Sequence, residues 1–142
     1  METNSQIKSA ILWLFISVGL CMHSVFALDG IFFGVNLQLP DTDGSEPSYM
    51  AVMHIVFEVL PLVFALLALF LSSRPFVWVS SVYAWLLCVG NAFHLLSTFG
   101  EEPFSLAQIA LLSFILAANI MLAIVLWKSL KCPCSKCAKE EQ

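Results

Sequence analysis

The chain has 142 residues, of which 60% are hydrophobic and 11% charged, with a formal net charge of -4. Soluble domains carry about 25% charged residues, so the charge here is too sparse to cover a water-facing surface, and a mean hydropathy of +0.90 agrees. This excludes a soluble enzyme, and the absence of any basic patch excludes nucleic acid as a partner; the lipid bilayer is the medium the composition fits.

Four apolar runs follow in chain order, at about 9–28, 50–71, 76–99 and 106–127. Each is about 20 residues or more, enough to cross about 30 Å of hydrocarbon as a helix. Within lipid, backbone polar groups must be satisfied inside the segment, which selects helices over open strands. The expected fold is therefore all-α: a polytopic four-helix transmembrane bundle occupying residues 1–131, up-down-up-down, followed by a short cysteine-containing tail, 132–142. Ser105 with Gln108 three residues on reads as a capping box opening the fourth helix.

The six basic residues set an orientation. Lys8 precedes the first run, Arg74 lies between the second and third, and Lys128, Lys131, Lys136 and Lys139 follow the fourth. The other two connections hold Asp29, Asp41, Asp43 and Glu46, then Glu101 and Glu102. Lys and Arg concentrate on the cytoplasmic side, so both termini are expected to be cytosolic, in a plasma or inner membrane. Trp13, Trp78 and Trp127 fall near the inner helix ends, where an aromatic belt forms. The stretch up to Ala27 also has the features of a signal peptide: one Lys, an apolar core, and small residues at Val25 and Ala27. Its cleavage would leave three spans with the same orientation.

Polar residues within the runs repeat at helical spacing. His54, Glu58, Pro61 and Ala65 share one face of the second helix; Ser80, Ala84, Cys88, Asn91, His94 and Thr98 form a stripe on the third; Gln108 and Asn119 align on the fourth. Hydrocarbon offers such faces no partner, so they are expected to turn inward. By depth, His54, Glu58, Asn91, His94 and Gln108 converge in the outer third of the membrane as a ligand-binding site. His23 has a suitable depth but points away from the small polar face of its own helix, Ser17, Cys21 and Ser24. Pro61 lacks an N–H, which leaves a carbonyl near Glu58 without its helical partner.

Several functions suit that cluster. His54, Glu58 and His94 form a two-imidazole, one-carboxylate set that suits a transition metal such as Zn, Cu or Fe. His54 and His94 alone would serve as axial ligands of a b-type haem. A protonatable Glu58 beside Phe57, Phe64 and Phe93 would take a quinone, a sterol-like lipid or an amine. The His54-x-x-x-Glu58 pair early in the second span is loosely similar to one in the emopamil-binding sterol isomerase family, which is also a small helical bundle; the similarity covers these two residues and the span count. Against these stands a structural network that glues helices together, as in an accessory or assembly subunit of a larger membrane complex or a homo-oligomer. In the tail, Cys132, Cys134 and Cys137 make C-x-C-x-x-C. Three cytosolic thiolates suit a soft metal, a lipid anchor, or neither. No motif for nucleophilic catalysis is present, and the reading leans away from an enzyme.

Overall fold

In a computed structural model the chain is helical, and the described residues are 3–34, 36, 44–100 and 105–131. The helices are α1 (Thr3–Leu28), α2 (Ser48–His54), α3 (Leu60–Phe70), α4 (Arg74–Thr98) and α5 (Leu106–Lys131). A 3-10 turn, Asp29–Phe33, extends α1, and a π-helical turn, Ile55–Val59, joins α2 to α3 into one span. Among the described residues, four helical segments are long and apolar enough to cross a membrane: Thr3–Phe32, Ser48–Phe70, Arg74–Thr98 and Leu106–Lys131. The tail, including Cys132, Cys134 and Cys137, lies outside the described residues, as do Asp41, Asp43, Glu101 and Glu102.

Local chemistry sets several boundaries. The extension of α1 stops at Gly34, whose φ of 81° is left-handed and whose N–H bonds the Ile31 carbonyl at 3.1 Å; glycine takes that conformation without a Cβ clash. Pro75 sits in the first turn of α4, where its missing N–H costs nothing, behind an extended Ser73. The Ser105 half of the expected capping box is present, its hydroxyl accepting from the Gln108 backbone N–H at 3.4 Å. Lys128 and Lys131 occupy the last turn of α5, where cations complement the helix dipole. The Lys131 ammonium also lies 5.1 Å from the centre of the Trp127 ring.

Helix α5 packs against both α1 and α4, and α1 packs against α3. In lipid such packing comes from close contact rather than from hydrophobic exclusion, so small residues at the interface matter. Gly19 is the clearest instance: a Cβ there would sit 2.7 Å from Ile115 Cγ1. Rings close the remaining side. Phe64 of α3 stacks on Trp13 of α1 at 5.2 Å, on Tyr83 of α4 at 5.0 Å and on Phe76 at 6.0 Å. Trp13 is fully buried and donates its indole N–H to the Ser80 hydroxyl at 3.1 Å. It is thus the aromatic centre of the core, not a belt residue. The belt expectation failed there because the Phe64 and Tyr83 rings and the Ser80 acceptor offer an amphipathic indole a better site than the interface. Trp78 and Trp127 do lie exposed on the bundle surface.

Candidate polar site in the second span

Pro61 shapes the site. The chain ahead of it winds into a π turn, in which the Leu60 N–H reaches back five residues to the Ile55 carbonyl. In that register the next carbonyl, Val56, faces Pro61, which has no N–H to give. The Tyr83 hydroxyl donates to this Val56 carbonyl instead. The orphan is therefore Val56, one residue earlier than α-helical spacing implies for Phe57. One further backbone acceptor is engaged from outside: the Ser17 hydroxyl donates to the Glu58 carbonyl at 2.6 Å. Single π turns of this kind occur often at functional sites.

Glu58 lies inside the turn, and its side chain meets α1. Oε1 accepts from the Ser24 hydroxyl at 2.8 Å and lies 3.1 Å from His54 Nδ1. Oε2 has the Cys21 thiol at 3.9 Å. The carboxylate is 22% exposed and His54 47%. An ionised carboxylate offers about four acceptor positions. Oε1 has two donors, whereas Oε2 has one long thiol contact among the described residues, so acceptor capacity remains open on the Cys21 side.

His94 goes elsewhere. Its Nε2 lies 2.9 Å from His23 Nε2, with the rings edge to face at 4.9 Å between centroids. Such a distance is a hydrogen bond in which one ring supplies the N–H and the other the lone pair. Asn91, one turn back from His94, is 1% exposed, and its Nδ2 has no hydrogen-bond partner among the described residues. Gln108 is half-buried in the first turn of α5.

The single convergent cluster expected from spacing is thus two pairs side by side. His54 and Glu58 meet each other and α1; His94 meets His23; Asn91 and Gln108 take no part in the Glu58 contacts. The physical reason is packing order: the second span docks against α1, so the glutamate finds the Ser17, Cys21 and Ser24 stripe rather than the α4 stripe. His23 points away from that stripe, as its angle requires, and this direction leads to α4. The hydroxyl stripe was the available signal for the partner of Glu58.

The three-ligand set His54, Glu58 and His94 is not assembled, and among the described residues no three His, Cys, Asp or Glu side chains group as metal ligands. For a haem, the His94 Nε2 that would bind iron is instead bonded to His23 Nε2. The described residues therefore do not fit the three-ligand metal set, and the Cys132, Cys134 and Cys137 set lies outside them. No family model, no curated protein and no solved structure matches the chain; the likeness to the emopamil-binding family accordingly rests on two residues and a span count.

Proposed function

We propose that this is a four-span membrane protein whose polar site, centred on Glu58, binds a small ligand carrying a cationic or hydrogen-bond-donating group. The observation that carries the reading is the state of the carboxylate. A carboxylate at this depth costs about 2.5 kcal/mol or more, and an amide would tie helices together more cheaply. Here the acid keeps one oxygen, Oε2, free of a close donor among the described residues and remains partly exposed. A purely structural glutamate would have both oxygens engaged. The fold is proposed to run up-down-up-down with both termini cytosolic, because the basic residues fall at the termini and at Arg74. The site then opens toward the exterior half of a plasma or inner membrane. His54 orients the carboxylate from within the same helix, and Ser24 fixes it from α1.

A second reading, an accessory subunit of a larger membrane complex, draws on different contacts. The His23–His94 bond, the Ser17 and Tyr83 hydroxyls on backbone carbonyls, and the Ser5–Ser129 contact at 2.8 Å all fasten one helix to another. Native mass spectrometry of protein extracted in mild detergent separates the two. A basic small molecule retained by the wild type and lost from Glu58→Gln at unchanged melting temperature supports binding. A metal-free, colourless protein that holds no small molecule and co-purifies with one large partner supports the accessory role.

A further inference from the structure

Side chains link α1 to α4 at two depths. At one, Trp13 donates to Ser80 at 3.1 Å and stacks on Tyr83 at 5.5 Å. Ten residues on, about 15 Å along α1, His23 Nε2 lies 2.9 Å from His94 Nε2. The ring centres are 4.9 Å apart with the two nitrogens between them, as a shared N–H requires. Both imidazoles are half-buried, His23 five residues before the end of α1 and His94 four before the end of α4. Protons in water at that end of the bundle therefore reach them. The hydrogen bonds that Ser5, Trp13, Ser17, Ser24 and Tyr83 make between helices use hydroxyl and indole donors, which keep their charge between about pH 5 and 8. Imidazole does not keep its charge over that range.

We infer that His23 and His94 form a proton-operated latch between α1 and α4, closed while the pair shares one N–H and opened when both rings become imidazolium. Counting protons gives the mechanism. In the neutral pair the four ring nitrogens carry two protons, one on the Nε2 that donates and one on the Nδ1 of the accepting ring. A third proton goes to the Nδ1 of the donating ring and leaves the bond in place. A fourth has only the accepting Nε2 to go to. Two N–H groups and two positive charges then face each other, and the bond is replaced by repulsion. Acid therefore removes this link as pH falls. The ionisable groups on the elements around the pair are Cys21 and Asp29 on the α1 side, Tyr49, His54 and Glu58 on the second span, and Tyr83 and Cys88 on α4; α5 has none before Lys128. The Glu58 carboxylate is engaged by Ser24, His54 and Cys21. The connections at that end carry Asp41, Asp43, Glu46, Glu101 and Glu102, whose negative charge draws protons there. The latch does not depend on what Glu58 binds.

The test uses the full chain in phosphatidylcholine nanodiscs. The protein has three histidines, so a His54→Gln background leaves only the pair. With 15N-labelled imidazoles, spectra at about pH 7.5 show coupling between the two Nε2 atoms across the hydrogen bond; at about pH 5 both rings give imidazolium signals and the coupling is gone. In the same background, His23→Ala, His94→Ala and the double variant form an unfolding cycle at both pH values. At about pH 7.5 the pair is coupled by about 2- to 30-fold in the unfolding equilibrium constant, the range for hydrogen bonds between membrane helices. At about pH 5 that coupling vanishes or changes sign. The spectra need no substitution at His23 or His94, so they decide alone where an alanine variant does not fold. One ring still neutral at about pH 5, with the coupling across the bond retained, overturns the inference, as does an unfolding cycle with the same coupling at both pH values.

Discussion

The Tyr83 hydroxyl donates to the Val56 carbonyl, the backbone acceptor five residues before Pro61. One side chain from α4 thus answers the donor that a proline removes from the second span, and the π turn holding Glu58 depends on that exchange. Tyr83→Phe leaves the Val56 carbonyl unsatisfied in a nonaqueous setting and should cost about 1–3 kcal/mol. Pro61→Ala restores an N–H at that position, so in its background Tyr83→Phe should cost much less. Unfolding of the four proteins in mixed detergent micelles gives the coupling directly. Equal costs in both backgrounds would show that the tyrosine acts by packing alone.

Glu58→Gln keeps the shape of the side chain and removes its ionisation. Its effect on melting should be within about 1 kcal/mol of zero or slightly stabilising, because a partly buried charge is avoided. Retained ligand should fall sharply. A variant that melts far below the wild type would instead mark Glu58 as a structural member of the α1 interface.

Gly19 meets Ile115 at the α1–α5 crossing. Gly19→Val forces the helices apart and should destabilise the bundle by about 1–3 kcal/mol. Ile115→Ala opens space there, so the double variant should recover part of the loss. Thermal unfolding of the single and double variants measures it, and additive losses would place the contact elsewhere.

His23 and His94 form one hydrogen bond across the bundle. His23→Ala and His94→Ala should therefore be non-additive, with a coupling energy of about 0.5–2 kcal/mol. His54→Ala combined with His94→Ala should be additive, since His54 bonds to Glu58. Coupling between His54 and His94 would restore the single cluster that residue spacing implies.

Sidedness has its own check. A reporter fused after Gln142, or inserted at Arg74, should read as cytosolic, and one near Thr42 as exterior, following the distribution of Lys and Arg. An exterior C-terminus would reverse the side to which the Glu58 site opens.

Composition and the length of the apolar runs determined that this chain is helical with four segments able to cross a membrane, because span length and backbone satisfaction are properties of each segment alone. The inward-facing stripe of the third span was also legible: Ser80, Asn91 and Thr98 are buried, as their spacing implies, whereas His54, expected to turn inward on the second span, is 47% exposed because it lies one turn outward of the Glu58 contact with α1. Pro61 announced an irregular turn beside Glu58, though not its π register. What the tertiary structure alone decided was the partnering. A helical stripe says which way a side chain points relative to its own axis, not which neighbour lies in that direction. With the second span docked on α1, Glu58 met Ser24 and Cys21, and His94 was left to His23. Trp13 shows the same limit: its place near a helix end suggested the interface, while the rings of Phe64 and Tyr83, distant in sequence, drew it into the core.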